Sequence, residues 1–136
     1  MTQQVHFTIP QHRRGYHLIT ADIVDNLPPL PDSGLANIFL HHTSAALTIN
    51  ENADPTVRSD FNSFMDKLIP ENDPVYHHLS EGADDMPAHL KSSLLGQSVN
   101  IPISSGRLNL GIWQGIYLCE FRNRGGRRDI TVTIVS

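Results

Sequence analysis

Ala36-Asn37-Ile38-Phe39-Leu40-His41-His42-Thr43-Ser44-Ala45-Ala46-Leu47-Thr48-Ile49 is the stretch on which the reading of the fold turns. Side chains on a strand alternate between faces, so Ile38, Leu40 and His42 share one side while Phe39 and His41 share the other. The apolar pattern resumes at Leu47-Thr48-Ile49. Two strands, or one bent strand, therefore flank Thr43-Ser44-Ala45, and the chain around them reads as largely β.

Upstream, Val5, Phe7 and Ile9 alternate with His6 and Thr8, a half-buried strand that Pro10 closes. A short helix is expected next, with Thr20 as its cap, Ile19 and Val24 as a hydrophobic staple, and Pro28-Pro29 as its stop. Downstream, Asp54-Pro55 places an N-cap before a proline at the first helical position. Val57, Phe61, Phe64 and Leu68 then recur at i, i+4, i+7 and i+11, giving the longest helix, ended before Pro70.

The segment from Pro70 to Gly82 has breakers and no period; a loop this long within a compact domain points to function. A second helix is expected from Asp85-Met86-Pro87, burying Met86, Leu90 and Leu94 with His89 on the flank of that stripe, and ending at Gly96. The remainder reads as β. Val99, Ile101 and Ile103 alternate around Pro102, which suits an edge strand or bulge. Gly106-Arg107 reads as a hairpin turn, 113–122 as a long strand, Gly125-Gly126 as a turn, and Ile130, Val132 and Ile134 as the last strand. The class is α+β, one domain over 1–136.

Bulk composition excludes several functions. Ten basic against fourteen acidic residues give a net charge of −4, so no positive field gathers nucleic acid. The single cysteine, Cys119, excludes an intrachain disulfide and sits in an apolar run suited to core packing. The start of the chain lacks a secretory pattern and no stretch is long and apolar enough to span a bilayer, so a cytoplasmic protein without a membrane partner is expected. Eight histidines direct attention to metal chemistry, because neutral imidazole is the commonest side-chain metal ligand.

Three imidazoles plus one open position make a catalytic zinc site. His41 and His42 point to opposite faces of a strand, so one of them at most enters a given site, and alternation does not choose between them. His77-His78 pose the same question in a loop, and the spacing to His89 is no recognised motif. Glu81, Asp84 and Asp85 can orient an imidazole, act as a base or join a metal; Asp84 and Asp85 equally suit helix capping. Asn50-Glu51-Asn52 is a polar triplet that can bind a ligand or simply turn the chain. Gln114, Glu120 and Arg122 share a face of the late strand. Arg122, Arg124, Arg127 and Arg128 surround Gly125-Gly126, which suits a phosphate or a solvated hairpin tip. No nucleotide-binding glycine loop and no nucleophile elbow is present.

Four motifs, His41-His42-Thr43-Ser44-Ala45, Thr48 to Pro55, Glu81 to His89, and Leu110-Gly111-Ile112-Trp113-Gln114-Gly115, together resemble the YjbQ family, also called the secondary thiamine-phosphate synthase family. The resemblance covers nearly the whole chain. It implies an α+β domain of mixed β-sheets packed as a sandwich with two or three helices, a homotrimer, and a histidine site for a divalent metal such as zinc, or magnesium during turnover. It also selects His42, His78 and His89 as metal ligands. Glu51, Glu81, Asp84 and Asp85 are then the candidate catalytic carboxylates, and Asn50, Asn52, Gln114, Arg122 and Arg128 the candidate ligand-binding groups. Ile112 departs from the threonine common before Trp-Gln. The implied activity is a weak joining of a pyrimidine diphosphate to a thiazole phosphate with release of pyrophosphate; the alternative is a non-catalytic trimer that binds a metal or a small phosphorylated metabolite.

Overall fold

The computed structural model describes all residues, 1–136. The elements in chain order are β1 (Thr2–Ile9), β2 (Gly15–Leu18), α1 (Thr20–Asp25), β3 (Ser33–Leu40), β4 (Ala45–Glu51), α2 (Pro55–Leu68), α3 (Asp85–Leu95), β5 (Ser98–Ser104), β6 (Arg107–Leu108), β7 (Gln114–Glu120) and β8 (Arg128–Val135). The break at Thr43-Ser44 thus separates two strands that enter different sheets. One sheet has the order β1-β8-β3-β5-β6 and the other β2-β7-β4. Every pairing is antiparallel, which corrects the expectation of mixed sheets: no crossover returns a strand in parallel beside its neighbour.

Alternation explains the layers. Ile38 and Leu40 of β3, Ile130, Val132 and Ile134 of β8, and Ile101 and Ile103 of β5 point inward and meet Leu47, Ile116 and Leu118 of the small sheet. The other face of the small sheet carries Tyr16, Ala46, Tyr117 and Cys119, packed with Met65 of α2 and Ala88 of α3. The result is three layers: large sheet, small sheet, helices. The central strand β7 is buried on both faces, which is why residues 115–119 read as an almost unbroken apolar run. Cys119 is fully buried there, and burial pushes its thiol well above the ordinary range.

Local signals account for most boundaries. Asp54 caps α2, its Oδ1 accepting the Thr56 N–H at 2.9 Å, with Pro55 opening the helix. Thr20 does not cap α1; its hydroxyl instead accepts the Ile116 N–H at 2.9 Å, tying α1 to β7. The turn between β5 and β6 falls on Ser105-Gly106, both with positive φ, so Arg107 begins a strand. Pro102 lies on β5, whose far side meets only the two-residue β6, close to the edge position expected of it.

Helix α3 is turned relative to its apolar stripe. Asp85, Pro87, Ala88, Lys91 and Ser92 are buried while Leu90 and Leu94 are exposed. Polar contacts set this rotation. Ser92 donates to the Ala45 carbonyl at 2.7 Å, and the Lys91 ammonium, only 1% exposed, donates to Asp66 at 2.6 Å. Asp66 also accepts from Arg14 at 2.8 Å, and Arg14 reaches Glu71 at 2.6 Å. This network joins α2, α3 and the segment before β2.

Burial alone would raise the Asp66 carboxyl, but Lys91 and Arg14 outweigh it and hold the group below its ordinary range. A carboxyl depressed on folding stabilises the native state above its unfolded value, and that contribution is lost as pH falls through the folded value. Stability should therefore decline as pH drops below about 4. Urea titrations from about pH 6 to about pH 2.5 should show a shallower acid slope for Asp66→Asn than for the parent.

At the end of β7, Glu120 is fully buried against Arg128: Nε donates to Oε1 at 2.8 Å and Nη2 donates to Oε2. Gly125 closes over this pair. A Cβ there would lie 2.4 Å from Glu120 Oε1 and 2.6 Å from Arg128 Nη2, and neither rigid, paired group can move aside. Gly125→Ala should cost about 1–3 kcal/mol as overpacking, read as a lower urea midpoint with an unchanged m value.

Candidate metal centre

Two carboxylates and two imidazoles converge where the long loop runs into α3. One ligand atom each from His78, Glu81, Asp85 and His89 lies within 4.8 Å of the other three. Asp85 and His89 are four residues apart on α3, which sets them one above the other on the same helical face. His78 and Glu81 come from the loop. Gly82, at φ +103°, turns that loop into the helix, a conformation that side chains other than glycine rarely adopt.

Asp85 is the hub. Its side chain is 2% exposed, against 62% for Glu81 and 42% for His78. His78 Nε2 donates to Asp85 Oδ2 at 2.7 Å and sits 3.2 Å from Glu81 Oε2. His89 Nδ1 donates to the Thr43 carbonyl at 2.8 Å, which orients the ring and turns Nε2 toward Asp85. Nε2 lies 3.0 Å from Asp85 Oδ2. A proton on Nε2 makes this contact an ion pair, and a cation held by both atoms would take that proton's place. The ring centroids of His78 and His89 are 5.5 Å apart, close enough to share one ion.

Arg122 holds the carboxylates from behind. Its Nε donates to Asp84 Oδ2 at 2.9 Å, Nη1 donates to Asp85 Oδ1, and Nη2 donates to the Glu81 carbonyl at 2.9 Å. Asp84 also accepts the Asn123 N–H at 2.9 Å. Its carboxylate therefore serves Arg122 and Asn123 and makes no capping bond to α3. Burial raises the Asp85 carboxyl, but His78, Glu81, Arg122 and His89 together overcome it and keep the group below its ordinary range. His78 is raised, chiefly by its bond to Asp85.

Of the residues chosen from sequence, His78, Glu81, Asp85 and His89 meet at one point, with Asp84 and Arg122 beside them. His42 lies outside this group. Its Nε2 accepts the Asp129 N–H at 2.7 Å, so the lone pair is directed at β8, and burial together with nearby Arg128 lowers its pKa. Arg128 is not free for a phosphate either: it is 3% exposed and spent on Glu120 and the Ser44 carbonyl. Its burial follows from the inward direction of the first residue of β8, which alternation with Ile130 and Val132 already signals.

Asn50, Glu51, Asn52 and Gln114 gather at the opposite end of β4, about six residues beyond Ala45 and so about 20 Å away. They brace a loop. Asn52 Nδ2 donates to the Ile112 and Gln114 carbonyls at 3.2 and 3.1 Å, Gln114 Oε1 accepts the Gly111 N–H at 2.7 Å, and Tyr117 donates to the Glu51 carbonyl. Asn50 Oδ1 accepts the Glu51 N–H at 2.8 Å and Glu51 Oε2 the Asp54 N–H at 3.2 Å. The braced loop displays Ile112 and Trp113 outward, 82% and 63% exposed, beside a shallow cavity of about 400 Å³.

Comparison with known proteins places this architecture in a defined family. The family profile described as UPF0047 protein YjbQ-like matches residues 5–136, and the chain belongs to that family. It is 51% identical over 136 residues to the UPF0047 protein YjbQ of Salmonella typhimurium, covering 98% of each chain. It is also 47% identical over 89 residues to the UPF0047 protein YugU of Bacillus subtilis, covering 65% of each. Among solved structures, a conserved hypothetical protein of Thermus thermophilus superposes with a TM-score of 0.85 at 36% identity, covering 96% of this chain and 99% of that one. No helix is long and apolar enough to cross a membrane.

The donor set fits a divalent ion. Two carboxylates cancel its charge, two neutral imidazoles complete four positions, and imidazole favours zinc and similar ions over magnesium. Titration calorimetry with Zn²⁺ should show one site per chain, weakened about 100-fold or more in Asp85→Asn and about 10- to 100-fold in Arg122→Gln, which acts through Asp85. Affinity should fall as pH drops, because protons compete for both imidazoles.

Proposed function

We propose that this chain is a divalent-metal-dependent enzyme acting on a small phosphorylated metabolite, with the ion held by His78, Glu81, Asp85 and His89. What supports this most directly is the convergence of one ligand atom each from His78, Glu81, Asp85 and His89 within 4.8 Å of one another, with the His89 ring oriented by the Thr43 carbonyl. When bound, a divalent ion neutralises charge building on phosphate oxygens.

The chain's own groups divide the remaining work. Asp85 and His89, on the helix and anchored by Arg122 and Thr43, are the rigid ligands. Glu81, exposed and on the loop, is the one placed to exchange with substrate or to take up a proton. Arg124 and Arg127, on the segment that follows Arg122, can receive a second phosphate. The first reaction to examine is the one the family likeness implies, joining a pyrimidine diphosphate to a thiazole phosphate with release of pyrophosphate.

The exposure of Glu81 and His78 favours a second reading, in which a homotrimer binds metal and metabolite without turnover. One experiment separates the two. Purified protein is depleted of metal, reloaded with Zn²⁺ or Mg²⁺, and assayed for thiamine phosphate. The enzyme reading expects activity that disappears with chelator, returns with metal, and falls about 100-fold or more in Asp85→Asn. Turnover that persists in metal-free His89→Ala would falsify it. Thermal stabilisation by metal and phosphorylated ligand with no product supports the second reading.

A further inference from the structure

Well away from the metal centre, the edge of the two-sheet core opens into a cavity of about 530 Å³ between α1, the segment that follows it, and the β5–β6 hairpin. Its size lies within the range of small-molecule sites. Leu27, Leu108 and Leu110 form its floor and pack directly on the inter-sheet core. Val24, half exposed, stands at its lip. Pro28-Pro29 form part of the wall, and two consecutive prolines present carbon surface without an N–H.

Only two of the lining side chains are polar, and both offer donors. Thr20 Oγ1 already accepts the Ile116 N–H at 2.9 Å, which leaves its O–H free to donate to a ligand. Arg107 is exposed at the rim, and its guanidinium takes part in none of the ion pairs of the protein. Arg122 and Arg128, by contrast, are each engaged by buried carboxylates. An apolar trough ending in a hydroxyl donor and a free guanidinium matches an apolar body with a carboxylate head.

We infer that this cavity is a second ligand site, for a small amphipathic carboxylate whose apolar body rests on Leu27, Leu108 and Leu110 and whose carboxylate meets Arg107. The site needs no metal and stands independently of the function proposed above.

Sodium octanoate and 1-octanol serve as probes, with binding measured by calorimetry and by chemical-shift perturbation on the full-length protein. Octanoate should bind saturably at one site per chain, unchanged by chelator. Arg107→Gln should weaken octanoate about tenfold while leaving octanol within about twofold. Val24→Glu, a change at a half-exposed lip, should abolish both. Melting curves verify that each variant is folded. Absence of octanoate binding to the parent protein overturns the inference, as does equal octanoate binding by Arg107→Gln. Failure to bind combined with a drop in sedimenting mass for Val24→Glu also overturns it, by showing that a second copy of the chain covers the cavity.

Discussion

Burial of β7 on both faces is the constraint around which the molecule is arranged. A strand between two cores has no solvent to accept its polar groups, so every charge near its end needs a fixed partner. Glu120, facing the large sheet, is met by Arg128 from β8. Two residues on, Arg122 turns outward and is met by Asp84 and Asp85 at the start of α3. The second pairing does more than neutralise charge. By holding Asp85 on one oxygen, Arg122 aims the other at His78 and His89, so the candidate metal centre is an extension of the solution to a packing problem.

Helix α3 shows how the same logic overrides periodicity. Its apolar residues Leu90 and Leu94 define a stripe that a sequence reading sends inward, yet Asp85, Lys91 and Ser92 are buried instead. Each of the three has a partner supplied by another element: Arg122 from the end of β7, Asp66 from α2, and the Ala45 carbonyl from β4. Such partners are scattered along the chain and invisible to a pattern read within one helix. The same reason hides Thr43, which acts through its backbone carbonyl and leaves no side-chain signal.

What was legible follows from local chemistry. Strong alternation marked β1, β3, β5 and β8, and the Asp54-Pro55 signature marked the start of α2 to the residue. Strand β2 escaped because Gly15–Leu18 is only four residues long and follows a polar, basic segment with no alternation. For the site, residue type and loop length pointed to His78, Glu81, Asp85 and His89, and the family likeness chose between neighbouring histidines. The third expected ligand, His42, is diverted because strand pairing brings the Asp129 amide within hydrogen-bonding distance of its ring. Register across a sheet decides that, and register is a property of two distant strands.

Pro102 has a bearing on how the large sheet behaves among its own kind. Its carbonyl accepts the Asn109 N–H at 2.8 Å, and along a strand the carbonyl and the amide position of one residue point to the same side. The missing donor therefore faces the β6 side, where Asn109 lies opposite. A stray extended peptide that paired with the open start of β5 would run into the Pro102 position, where no donor is offered. That rim of the molecule is thereby poorly suited to seeding strand-on-strand growth into fibres during folding or at high concentration.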